Sequence, residues 1–455
     1  MRTPPLASHR FGLGARPDER VPSDPRQWLL AQLDSQSTRP PPWQKLPSTA
    51  DLTGVWLDQQ RAVRQAPEGQ RAGIRDAYLR RSRGDYLAAI GARVDSALQT
   101  QTPFVEHLVH FWANHFAVSV DKLLVIGLAG AFEADAIRPH VTGRFEDMLV
   151  AVAKHPAMLL YLDQAQSIGP NSQVGSRSQA RLQRARGLNE NLAREILELH
   201  TLGVKGGYQQ DDVTELARAL TGWTLPDDRP DAGAPGSSSR FVAALHEPGA
   251  RRVTGRLYPE AGEEQALAIL RDLAAAPSTA RHIATKLARH FVADEPPPDL
   301  VQRLEDAFLR SGGHLPTVYR ALVTADPAWD PQFTKFRTPW EWAIASLRAL
   351  DTQALAPTQA SNLMTQLGPP VWRPGSPAGF GDTAASWAAP DALLRRVEAS
   401  QRLARQAGAN VDARTLGARI LPGAMGEATA RSISLAESGE QALTLLLVSP
   451  EFLRR

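Results

Sequence analysis

No cysteine occurs in the 455 residues. That removes disulfides, thiolate nucleophiles, cysteine-ligated zinc and iron–sulfur clusters together. Lysine is scarce, at six of the 51 basic residues, and the formal net charge is only +3. A nucleic-acid-binding chain needs a concentrated basic face. The nearest approach, Arg80, Arg81 and Arg83, is diluted by Asp76 and Asp85. It reads as a solvated helix surface, so no nucleic acid is expected; a polyanion site near 71–83 is the weaker alternative. The longest apolar stretch, 123–132, falls far short of the ~20 residues a membrane span requires. The first twenty residues lack an apolar core, so no secretion signal is expected and a soluble, cytoplasmic protein is the default. P-loop, dinucleotide, HExxH, nucleophile-elbow and haem-attachment motifs are all missing.

What is present is helical periodicity. Apolar residues recur at three and four positions over about 68–98, 103–117, 144–162, 188–202, 211–222, 278–292, 338–350 and 389–407, among other segments. The exception, 240–258, holds two β-prone runs around Glu247-Pro248-Gly249-Ala250, a sequence suited to a type II turn. The expectation is an all-α protein, a single large helical domain over 1–455 with one small β-hairpin near 240–258. Loops are expected at about 164–187, 227–239 and 369–389. The third, with Trp372, Phe380 and Trp387, should pack down.

Two helices carry a polar group on an apolar arc. At about 100° per residue, Leu188, Leu192, Ile196 and Leu199 gather on one side of 188–202, and Glu195 falls among them, flanked by Asn191 and Glu198. In 102–116, Phe104, Leu108, Phe111 and Trp112 form the arc and His115 sits near its middle. Ionised groups facing a core are costly unless paired or bound to something.

Three readings follow. A divalent metal ion could be held by His115, Asp163, Glu195 and Glu198, since bundle cores build such sites from facing helices. A structural salt bridge could pair Glu195 with an arginine or a protonated His115. A metal-free acid–base site would use His115, Glu195 and Glu198 as catalytic groups, with pKa values pushed toward neutrality by burial. Asn114, Asn191, Trp112 and Tyr208 would then contact substrate. Non-covalent haem on His115 has nothing specific in its favour. Elsewhere, His282, Lys286 and Arg289 form a basic stripe, most simply a solvated face and otherwise an anion or partner site.

Several segments resemble a large bacterial family, domain of unknown function 1800. They are FWANHFAVS (111–119), MLLYLDQAQS (158–167), NENLAREILELHTLGVKGGYQQDDVTELARALTGWT (189–224), TGRLYP (254–259), LGPPVWRPGSPAGF (367–380) and SPEFLRR (449–455). The resemblance spans essentially the whole chain. It implies a mostly helical fold with no established activity, and points to Trp112, Asn114, His115, Asp163, Asn191, Glu195, Glu198 and His200. It also implies a candidate partner, because members are often encoded beside the domain of unknown function 1501 family. That neighbour tends to carry an export signal, so co-export to the periplasm is an alternative location. On this view the chain is an enzyme with a buried polar centre or a non-catalytic partner or chaperone subunit, using an aromatic patch near 372–387. One departure stands out: relatives often carry a histidine where this chain has Ala113; if that histidine is a ligand or base in them, this member either has a weakened site or uses His110 or His107 instead.

Overall fold

Proline opens helix after helix, because its fixed φ suits the first turn and its missing N–H is not needed there. The computed structural model describes residues 6–19, 22–35, 37–182, 187–226, 239–408 and 411–455. Its elements include helices α1 (Glu68–Gln99), α2 (Pro103–His115), α3 (Gln210–Leu220), α4 (Pro277–Phe291), α5 (Pro339–Ala349), α6 (Pro357–Leu367) and α7 (Pro390–Ala407). Pro103, Pro277, Pro339, Pro357 and Pro390 each occupy a first position. Among the described residues the fold is all-α apart from two antiparallel strand pairs. No helix among the described residues is long and apolar enough to cross a membrane.

Burial grades along α1. Arg71, Arg75, Arg80, Arg81 and Arg83 are exposed, whereas Ala89–Leu98 (89–98) is almost wholly buried. The arginine-rich end is therefore solvated surface. Helix α2 is buried along nearly its whole length, with only Asn114 partly exposed. A helix enclosed on all sides must satisfy every polar side chain internally, and α2 carries Glu106, His107, His110 and His115.

Several expectations need correction. The segment 144–162 is two helices, Phe145–Lys154 and Pro156–Tyr161, because Pro156 cannot continue the first. Within the expected loop 164–187, Gln173–Leu182 is helical. Most of the second loop, 227–238, lies outside the described residues. The hairpin near 240–258 exists, but its turn is not Pro248-Gly249. Strand β3 (Arg251–Val253) pairs with β4 (Arg256–Tyr258) across Thr254-Gly255. Both turn residues have positive φ, 48° and 81°, as a two-residue type I′ turn requires. Arg240–Phe241 (β2) instead pairs with Trp223–Thr224 (β1). The Glu247 carboxylate accepts from the Asn171 backbone N–H and side chain at 2.7 and 2.6 Å, so this segment ties to another part of the chain.

The segment 188–202 differs most. It is α-helical only over Asn191–Glu195, then widens into a π-helical turn at Ile196–His200. Gly203 follows at φ 83°, the left-handed closing residue expected. A wheel drawn at 3.6 residues per turn does not carry through a π turn.

Candidate functional site

Helix α2 sets the site. His107 projects between the segment at Phe11, α4 and α5. Its Nδ1 lies 3.0 Å from the Phe11 carbonyl oxygen, which can only accept, so Nδ1 carries the proton and donates. Its Nε2 then presents a lone pair, 2.9 Å from Glu341 Oε1 and 3.0 Å from His290 Nε2. His290, near the end of α4, donates from Nδ1 to Asp382 Oδ2 at 3.0 Å, and its Nε2 lies 3.8 Å from Glu341 Oε1. The His107 lone pair, the His290 Nε2 and a carboxylate oxygen thus face one another. Among the described residues, His107, His290 and Glu341 are the one set of three His, Asp or Glu whose ligand atoms all lie within 4.8 Å of one another.

Each donor is oriented from behind. Glu341 is the third residue of α5 and closes its capping box. Its Oε2 accepts from the Thr338 backbone N–H at 2.8 Å, and its own N–H donates to Thr338 Oγ1 at 3.3 Å. Arg455, 1 % exposed, donates to Glu341 Oε1 at 2.7 Å and to the His290 carbonyl at 2.7 Å. Asp382 is held by Lys335, which also pairs with Asp294 at 2.8 Å.

Charge follows from these contacts. Burial pushes His107 down to about 4, with Glu341 opposing, so the ring is neutral at pH 7. Burial also opposes charge on Glu341, yet Arg455 and then His107 hold its carboxyl well below the usual range. The same competition lowers Asp382, with burial outweighed by His290 and Lys335.

These groups form one side of a cavity of about 280 Å³. Trp340, Trp372, Phe380 and Trp387 supply much of its apolar wall, and Arg93, Lys286 and Arg289 are its cations. The 369–389 segment packs down over it. Trp372 is 6 % exposed, its carbonyl accepts from Val120 N–H at 2.9 Å, and Tyr86 donates to the Val371 carbonyl at 2.7 Å. The aromatic residues thus serve the cavity wall. Behind that wall, Arg138 bridges Glu106 bidentately at 2.6 and 2.8 Å and reaches Glu133 at 3.0 Å. Arg93 pairs with Glu133 at 2.7 Å and stacks over Trp340 at 4.3 Å.

The residues expected from sequence distribute differently. His115 is 2 % exposed and lines the cavity, donating from Nε2 to the His200 carbonyl at 3.2 Å. Burial, then Lys286, pushes it well below its ordinary value. Asn114 also borders the cavity, exchanging bonds with the Phe380 backbone: its side-chain amide donates at 2.9 Å and its Oδ1 accepts at 2.8 Å. Glu195 is half-buried beside Arg194, Glu198 and Tyr161, and burial followed by Glu198 raises its carboxyl. Glu198 accepts from Tyr208 at 3.1 Å, and Asp163 pairs with Lys122 at 2.5 Å. Asn191 is exposed, and Trp112 is fully buried, donating to Tyr319 at 2.6 Å. His115, Asp163, Glu195 and Glu198 do not converge on a common point. The π turn breaks the assumed phase, and Asp163 already has its lysine.

His290, Glu341, Asp382 and Arg455 were not singled out from sequence. Glu341 reads locally as an ordinary capping residue, and His290 lies one turn beyond Lys286 on the basic stripe. The usable signal was α2 itself, three histidines on a helix otherwise largely apolar.

A profile for the family described as "Protein of unknown function (DUF1800)" matches residues 7–454. No curated protein and no solved structure matches the chain.

Proposed function

Because the chain belongs to the DUF1800 family, whose description assigns no activity, we propose its function from the cavity: a metal-dependent enzyme. In this reading His107, His290 and Glu341 hold one divalent cation beside the substrate pocket. The observation that carries it is the convergence of two imidazole nitrogens and a carboxylate oxygen at 2.9, 3.0 and 3.8 Å. Without a proton or cation between them such atoms repel. Donors held ~2.0–2.2 Å from one cation lie roughly 2.9–3.8 Å apart at angles of about 90–130°. Both rings are also fixed by oxygen acceptors on their far nitrogens, Phe11 and Asp382, the usual support for a ligating imidazole.

A His/His/Glu set leaves a coordination position for water or substrate, the arrangement used in metal-assisted hydrolysis. The chain's own groups would do the rest. Asp382 fixes the His290 tautomer, Arg455 and the Thr338 N–H keep Glu341 charged and oriented, and the aromatic wall limits water. His115 lines the same cavity, its Nε2 held by the His200 carbonyl.

One contact favours a second reading. Arg455 already pairs with Glu341 Oε1, as it would in a buried charge network that only locks α2, α4 and α5 together. Elemental analysis of full-length protein, purified without chelator or nickel resin and then offered Zn²⁺, Mn²⁺, Co²⁺ or Fe²⁺, separates the two. About one equivalent should bind, and His107→Ala and Glu341→Gln should lose it while Glu195→Gln keeps it. A wild-type protein that binds none of these ions overturns the metal reading.

A further inference from the structure

Lys286 and Arg289 lie three residues apart on α4 and both line the cavity. Neither has a carboxylate partner. Lys286 makes no hydrogen bond or ion pair with any described residue, and Arg289 uses only its Nε, on the Asp294 carbonyl at 3.1 Å. The cavity's other charges are committed: Arg93 to Glu133, Glu341 to Arg455, and Asp382 to His290 and Lys335. Two cations thus face the cavity with no ion pair of their own; Lys286 feels Asp382 only at longer range, and burial pulls the lysine down to about 8. An enclosed cation without a counter-charge is costly, and a bound anion removes that cost.

The rest of the wall says what the anion carries. Trp340, Trp372, Phe380 and Trp387 offer aromatic surface, and Phe380 and Trp387 have ring centroids 6.4 Å apart. At about 280 Å³, the space lies just below the ~300–1,000 Å³ typical of small-molecule pockets.

We propose that this cavity binds a small organic anion, a carboxylate or phosphate on an apolar or aromatic body, through Lys286 and Arg289. The body lies against the tryptophan wall and the anionic group against the α4 cations. This names a ligand class for the same cavity, and rests on the metal-enzyme reading only in making that ligand the substrate.

The test uses full-length protein in chelator, so that it reads the cationic wall and not a metal. Phenyl phosphate and benzoate are titrated against their neutral counterparts, benzyl alcohol and benzamide, by calorimetry and by the fluorescence of the wall tryptophans. The anions should bind at least about tenfold tighter than the neutral probes, weakening as salt rises. Lys286→Met should lose at least about tenfold in phenyl phosphate affinity, with Lys286→Arg recovering most of it. His107→Ala should retain anion binding while losing metal, so failure of either reading shows separately. Equal affinity for charged and neutral probes overturns the proposal. So does unchanged binding in a folded Lys286→Met, or no saturable anion binding up to about 10 mM.

Discussion

At the scale of single residues the site is decided by where two protons sit. The Phe11 carbonyl claims the Nδ1 proton of His107, and Asp382 claims that of His290. The neutral His107 ring has no second proton to place between itself and Glu341. Asp382 is thus a positioning residue: its oxygen fixes the ring. Asp382→Asn keeps an oxygen acceptor but removes the charge. Metal affinity should fall by about 10–100-fold with the fold intact, read by competition with a chromophoric chelator beside circular dichroism. Unchanged affinity would mean His290 needs no such support.

At the scale of elements, sequence patterns were read correctly where each residue sees a regular repeat, and missed where the backbone changes register. The helices α2, α4 and α5 are legible because proline, capping and apolar spacing agree. The 188–202 segment was legible as a helix but not as a site, because no sequence rule marks the π turn at Ile196–His200. The β3–β4 turn was missed for a similar reason. Threonine is an unusual residue at positive φ, and Thr254 is held there partly from outside, its N–H donating to Asp212 Oδ1 at 2.7 Å. A β-branched residue in the left-handed region is strained, whereas asparagine accepts it readily. Thr254→Asn should therefore stabilise the protein, by about 0.5–1 kcal/mol after loss of the hydroxyl bond to Val253. Urea unfolding measures this as a higher midpoint at unchanged slope. A lower midpoint would show that the hydroxyl outweighs the strain.

Across the whole molecule, histidines far apart in sequence are buried neutral, and this couples folding to pH. His9, His155 and His200 are each pushed down to about 3, chiefly by burial. Two of them have no nitrogen left for a second proton. His9 Nε2 donates to the Ile420 carbonyl at 2.5 Å while its Nδ1 accepts from Arg337 at 2.6 Å. His155 donates from Nε2 to Thr49 Oγ1 at 2.8 Å, and its Nδ1 accepts from the Ala157 N–H at 3.1 Å, capping Pro156–Tyr161. The sign is fixed by comparing states. Unfolded, each ring takes a proton near pH 6.5; folded, only near 3. Their stabilising contribution is complete above about 6.5 and is lost as pH falls toward 3, by up to about 1.4 kcal/mol per pH unit for each ring. Urea midpoints should drop steeply between pH 6.5 and 4 and stay nearly flat above 7. His155→Asn tests the cause, because asparagine can supply the same N-terminal cap without titrating. That variant should unfold with about one proton less taken up through this window, and so be less acid-sensitive than the parent. Equal acid sensitivity in the two proteins would mean the His155 ring is already charged in the folded state, against the bond from Ala157.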